Sequence, residues 1–121
     1  MALPQIGYIE RPGRDRDDLV TLLRHHQMIP VPIISTTEYV EARSSVDVDL
    51  LIFSIRFGDF SPMELAREVQ SVRPIPLIIL CDFHSPVDKI IALEAGCDDI
   101  VSTPYHPKEL IARIRALLRR K

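Results

Sequence analysis

The run Leu50-Leu51-Ile52-Phe53 constrains this chain more than any other feature. A strand with one wet face alternates apolar and polar residues, whereas an unbroken apolar run fits a strand covered on both faces. Pro76-Leu77-Ile78-Ile79-Leu80 supplies a second strand, Ile6 to Ile9 an earlier one, and Asp99 to Ser102 a short later one. Ile29 to Ile34 is also apolar, but Pro30 and Pro32 interrupt it. Proline donates no ladder hydrogen bond, so this strand is expected at a sheet edge.

Helix signals separate the strands. Pro12-Gly13 marks a turn, after which Asp15 or Asp17 is expected to cap a helix burying Leu19, Leu22 and Leu23. Thr36 or Thr37 can open a short second helix. Ser61-Pro62-Met63-Glu64 is a strong start for a third, with Ser61 as cap, Pro62 in the first position and Glu64 closing a capping box. That helix ends before Pro74. Ser85-Pro86 starts a fourth, which Gly96 can stop. Pro107 opens a fifth, with Leu110, Ile114 and Leu117 facing the core. Strands and helices in alternation imply an α/β domain with a doubly wound five-stranded parallel sheet.

Composition narrows the function classes. The 121 residues suffice for one domain, 1–121, with a core. A formal net charge of −2 gives no general attraction to nucleic acid or anionic membrane. No apolar run approaches the ~20 residues needed to span a bilayer, and no signal-peptide pattern opens the chain. The only two cysteines, Cys81 and Cys97, do not make a disulfide framework, so a cytoplasmic location is expected. Gly13 stands alone after the first strand, which leaves nucleotide or flavin binding unsupported.

In a parallel sheet, chemistry collects at the carboxyl ends of the strands. Those ends are Glu10, Ser54, Cys81 and Thr103. Beyond them run Ala92-Leu93-Glu94-Ala95-Gly96-Cys97-Asp98-Asp99, Thr103-Pro104-Tyr105 and Glu109-Leu110-Ile111-Ala112-Arg113-Ile114-Arg115. These segments closely resemble response-regulator receiver domains, most of all the OmpR/PhoB type, which precede a winged-helix DNA-binding domain. The resemblance is strong from about Asp49 onward and weak before it.

The resemblance implies the flavodoxin-like (CheY-like) receiver fold and assigns roles to the strand ends. Receivers hold Mg²⁺ with an acidic pair; the matching residues are Glu10 and Arg11, so one carboxylate has become a cation. Mg²⁺ needs carboxylates and phosphate oxygens, and a guanidinium beside it is repulsive. The phosphoryl-accepting aspartate is replaced by Ser54, whose hydroxyl cannot form an acyl phosphate. The switch Thr or Ser is Cys81, a weaker donor. The phosphate-neutralising lysine is Thr103, and the switch aromatic is Ile100. Phosphoryl transfer rests on positioning and charge stabilisation, so losing acceptor, cation and half the metal site together leaves it without support. No catalytic residue, metal site or cofactor is expected.

The opposite face keeps its pattern. In receivers of this type the fourth helix, fifth strand and fifth helix form a symmetric dimer through ion pairs between subunits. The matching pairs are Lys89 with Glu109, Glu94 with Arg115, and Asp98 or Asp99 with Arg113, around an apolar patch of Ile91, Leu93 and Ile111. A two-fold interface uses one patch twice, so complementary charges on one face suit a homodimer.

Other residues have simpler accounts. Ser54 is read as a small polar filler rather than a nucleophile, and Cys81 as a small buried hydrophobe rather than a redox sensor. His25 and His26 are adjacent and point to different helix faces. His84 and His106 share one end of the sheet, with Cys81 the only obvious third zinc ligand. Asp15, Asp17 and Asp18 could lend a carboxylate to a displaced metal, but helix capping explains them more simply. The basic Arg119-Arg120-Lys121 suits a helix C-terminus and the start of a linker.

The chain is therefore expected to be a non-enzymatic, phosphorylation-independent receiver that dimerises and regulates an attached DNA-binding domain in transcription. Its contact with DNA would run only through that further domain, making this the N-terminal part of a longer regulator. The alternatives are a stand-alone adaptor binding another protein through the same face, and an enzyme or small-ligand sensor using the altered site.

Overall fold

The computed structural model describes residues 2–33, 35, 39, 47–55, 62–72, 74–82 and 86–120. Its elements run β1 (Gln5–Ile9), α1 (Arg14–His25), β2 (Ile29–Pro32), β3 (Leu50–Ile55), α2 (Pro62–Gln70), β4 (Leu77–Cys81), α3 (Pro86–Glu94), β5 (Asp99–Ser102) and α4 (Pro107–Arg119). The expected helix opening at Thr36 or Thr37 lies outside the described residues, as do Ser61, His84 and Ser85. The fourth and fifth helices of the sequence reading are thus α3 and α4.

All strands are parallel, in the order β2-β1-β3-β4-β5. Alternation along each strand sorts the side chains into two cores. Tyr8, Ile52, Leu80 and Val101 pack with Leu19 and Leu23 of α1 and with Leu110, Ile114 and Leu117 of α4. Phe53, Ile79 and Cys81 pack on the other face with Ala66 and Val69 of α2 and with Cys97 just beyond α3. Burial on both faces is why β3 and β4 carry unbroken apolar runs.

The edge position of β2 follows from its prolines. Ile29 N–H donates to the Pro4 carbonyl at 2.8 Å, and Ile33 N–H donates to the Tyr8 carbonyl at 2.9 Å. Amides alternate in direction, so Pro30 and Pro32 fall on the outward side, where no ladder bond is lost and a further strand is discouraged.

One device is used twice at strand entries. Asp49 N–H donates to the Gln5 carbonyl while Gln5 N–H donates to the Asp49 carboxylate, each at 2.8 Å. Asp98 N–H donates to the Leu77 carbonyl at 2.9 Å, and Leu77 N–H donates to the Asp98 carboxylate at 2.8 Å. Each aspartate therefore locks the start of the neighbouring strand.

The helix ends correct one expectation and match another. Gly13, at φ 146°, caps α1, and no side chain bonds there. Asp15 and Asp17 lie inside the first turn, where their charge favours the helix dipole rather than capping the amides. Gly96, at φ 119°, ends α3, with Gly96 N–H on the Leu93 carbonyl and Cys97 N–H on the Ala92 carbonyl. That left-handed stop is the one glycine makes without a Cβ clash.

Both thiols are buried in the second core. Burial first, then the neighbouring Asp82, pushes the Cys81 thiol up from 9.0 to about 11. Burial pushes Cys97 up to about 12. Below about pH 9 each thiol is neutral whether folded or unfolded. Above that, the unfolded chain releases its protons first, so stability falls as pH rises through the folded-state values. Urea midpoints are expected to drop from about pH 9 upward, and to drop less in a Cys81→Ala, Cys97→Ala double variant. A Cβ at Gly7 would lie 2.8 Å from Leu51 Cδ2 and 2.9 Å from Ile33 Cδ1. Gly7→Ala is accordingly expected to cost about 1–3 kcal/mol in urea unfolding, since overpacking forces neighbours off their rotamers.

Candidate functional site

The strand ends open into one cavity of about 830 Å³. Its floor contains Ser54, Ile55 and Leu80, and Glu10 and Arg11 follow β1 at its edge. Thr103, Pro104 and Tyr105 also line it. Register explains the floor: Ser54 pairs with Leu80 and Ile55 with Cys81. Thr103 is fixed by its N–H on the Cys81 carbonyl at 3.1 Å and precedes a cis peptide bond to Pro104. Arg11 N–H donates to the Glu10 carboxylate at 3.0 Å.

Four of the six residues matched to the receiver phosphorylation site, Glu10, Arg11, Ser54 and Thr103, line this cavity. Cys81 and Ile100 do not. Strand alternation turns both toward the α2/α3 core, where Cys81 is 1% exposed and Ile100 is half-buried. The Cys81 thiol packs as a core group.

The cavity also takes residues the sequence reading did not assign to it. Asp15, Asp18, Leu22 and His25 of α1 line it, as does Asp82 after β4. The first four follow an i, i+3, i+7, i+10 spacing, which places them on one helical stripe. That spacing was readable, but polar residues at the start of a helix read first as capping groups. Burial, then the charges of Asp18, Glu10 and Asp15, holds the Tyr105 hydroxyl above its ordinary pKa.

These residues do not fit the Mg²⁺ that receivers hold. Arg11 stands beside Glu10, and the β3 position offers a hydroxyl. Among the described residues, no three His, Cys, Asp or Glu side chains are grouped to hold a metal ion. The histidines have other positions as well. His106 Nδ1 accepts from Lys108 N–H at 3.2 Å and caps α4. The His25 and His26 rings meet edge to face, 5.3 Å apart.

The face formed by α3, β5 and α4 is partly committed within the chain. Arg113 Nη1 lies 2.9 Å from Asp99 Oδ2, and Arg113 Nε lies 3.0 Å from Glu109 Oε1. These bonds hold the Arg113 guanidinium above its ordinary pKa. Asp98 is the entry clamp on Leu77, so Asp99 is the partner of Arg113. Ile111 is 2% exposed and belongs to the α1/α4 core, which removes it from the expected apolar patch. It sits three residues before Ile114 and so widens the buried stripe of α4. Ile91 and Leu93 are exposed, and so are Val87 at 59% and Ile90 at 53%. The sequence reading missed Val87 and Ile90, although apolar residues on more than one side of a short helix signal such a surface. Lys89 is half-buried; Glu94 and Arg115 are exposed.

No family model matches the chain. The transcriptional regulatory protein CreB of Escherichia coli (strain K12) is 38% identical over 81 residues, covering 66% of this chain and 35% of CreB. The sensory transduction protein RegX3 of Mycobacterium tuberculosis (strain ATCC 25618 / H37Rv) is 30% identical over 104 residues, covering 86% of this chain and 46% of RegX3. The chain thus spans less than half the length of these curated relatives. Among solved structures, the receiver domain of the TMAO respiratory system response regulator TorR matches with a TM-score of 0.84 at 24% identity, over 97% of this chain and 98% of that one. The Francisella response regulator 1452 receiver domain matches with a TM-score of 0.82 at 20% identity, over 97% and 98%. No described helix is long and apolar enough to cross a membrane. The parallel sheet, its strand order and these sequence similarities make the chain a response-regulator receiver domain with homologues of the OmpR/PhoB type.

Proposed function

We infer that this receiver domain is a non-enzymatic regulator that works without aspartyl phosphorylation. One observation carries the reading: Ser54, Arg11 and Thr103 line a single cavity at the strand ends. In that cavity the receiver pattern calls for an acceptor carboxylate, a metal-binding carboxylate and a lysine. An acyl phosphate needs a carboxyl oxygen, and its transfer needs positive charge on the phosphoryl oxygens. Arg11 is a cation in the wrong position, where it opposes the metal rather than replacing the lysine.

The domain instead dimerises constitutively through α3, β5 and α4. The exposed Ile90, Ile91 and Leu93 supply the apolar area, and Lys89, Glu94, Glu109, Arg113 and Arg115 supply complementary charge. Arg113 already holds Asp99 and Glu109 within its own chain, so pairing between subunits exchanges or shares these contacts. Ion pairs there set register and partner choice more than affinity, at about 0–1 kcal/mol each. The similarity to a transcriptional regulatory protein supports a role in transcription control. In that role the dimer positions a DNA-binding domain that lies outside this chain, in the cytoplasm.

Sedimentation equilibrium tests the reading. A monomer–dimer equilibrium is expected at micromolar concentration, unchanged by Mg²⁺ with beryllofluoride. Arg115→Glu is expected to weaken it by up to about thirtyfold and Glu94→Arg to restore part of the loss, because the pair occurs twice across a two-fold interface at up to about 1 kcal/mol each. A strict monomer at high micromolar concentration contradicts the dimer, and a dimer that appears only with beryllofluoride contradicts phosphorylation independence.

A further inference from the structure

Helix α3 is held by little burial. Only Ala92 of its nine residues is buried, whereas α4 buries Leu110, Ile111, Ile114 and Leu117. Ile90, Ile91 and Leu93 stay exposed on α3. Few buried apolar contacts make local opening cheap, so the position of this helix rests more on how its ends are bonded.

The C-terminal end carries such a bond. Beyond it the chain is anchored, with Cys97 in the second core and Asp98 exchanging two hydrogen bonds with Leu77. Between helix and anchor lies Gly96, whose carbonyl accepts from Gln70 Nε2 at 2.9 Å. The same nitrogen donates to the Ile75 carbonyl at 2.9 Å, and Gln70 Oε1 accepts from Ile75 N–H at 3.2 Å. One side-chain amide thus uses both of its donors and an acceptor. Gln70 ends α2 and Ile75 lies just before β4, so this amide ties the end of α2, the entry of β4 and the turn after α3. Gly96 leaves room for it, since a Cβ there would lie 3.2 Å from Gln70 Cγ.

We propose that Gln70 is a positioning residue for the apolar face of α3. Its amide fixes the Gly96 turn against the β4 entry and so sets the angle at which Ile90, Ile91 and Leu93 are presented. The chemistry calls for an amide. A carboxylate could still accept from Ile75 N–H but would set its charge against two carbonyl oxygens, and an apolar chain of the same length would serve none of the three groups. The inference rests on the dimer reading above in that the oriented face is the one that pairs.

Hydrogen exchange read by mass spectrometry at submicromolar concentration, where the expected dimer dissociates, tests the fixing of α3 by itself. In Gln70→Met, uptake in peptides covering α3 is expected to quicken about fivefold, the scale of one lost hydrogen bond, with peptides from β3 and α4 unchanged. Gln70→Glu is expected to exchange at least as fast. Ser71→Ala, which removes the neighbouring bond from Ser71 Oγ to the Glu68 carbonyl, is expected to leave α3 as it was. Sedimentation equilibrium is expected to show a severalfold weaker dimer for Gln70→Met at an unchanged urea midpoint. The proposal is overturned by unchanged α3 uptake in Gln70→Met, by Gln70→Glu behaving as the parent, by equal quickening in all peptides, or by the same effect from Ser71→Ala. A dimer of undiminished affinity in Gln70→Met overturns it as well. A parent chain that is monomeric throughout contradicts the dimer reading, and the α3 uptake then still decides whether Gln70 holds the helix.

Discussion

The structure depends on a parallel sheet buried on both faces. Parallel strands need crossover helices, and the helices cover both sides, so the inner strands β3 and β4 are apolar at nearly every position. The cost of that arrangement is borne at the strand ends, where polar residues first reach solvent. Which face each end residue meets is a matter of odd or even position. Ser54 shares the parity of Leu50 and Ile52, which pack in the α1/α4 core, and it lines the cavity on that side. Cys81 shares the parity of Leu77 and Ile79 and joins the opposite core. One residue along the strand thus separates a cavity wall from a packed interior.

On the proposed reading, the substitutions act together. A hydroxyl at Ser54, a guanidinium at Arg11 and an uncharged Thr103 share one space, so their effects meet on the same would-be phosphoryl group. Metal, acceptor and neutralising cation support one another in receivers, and the loss of each lowers the value of the rest. Glu10, Asp15, Asp18 and Asp82 also line that cavity. The far side of the domain follows a different logic, because Asp98 and Ile111 serve the monomer's own integrity while Ile90, Ile91 and Leu93 stay exposed.

Much of this was legible in the sequence, for physical reasons. Apolar runs without alternation reported double burial of the inner strands, and strands alternating with helices reported a parallel sheet. Prolines 30 and 32 reported an edge, and Gly96 reported a left-handed stop. Local chemistry was less reliable where two roles suit one residue type. An aspartate near a helix start can cap the helix or face a cavity, and Asp15 and Asp18 do the latter. Asp98 and Asp99 are neighbours of one charge, and only the register of β4 with β5 separates the strand clamp from the partner of Arg113. Ile111 resembled a surface residue because its helix buries a stripe wider than three positions.

The central claim is that this receiver cannot carry an acyl phosphate. Intact-mass spectrometry after incubation with acetyl phosphate and Mg²⁺ measures it directly. No change in mass is expected. A gain of one phosphoryl group that hydroxylamine removes would contradict it, because that lability marks an acyl phosphate, and the cavity would then have found an acceptor among Glu10, Asp15, Asp18 and Asp82.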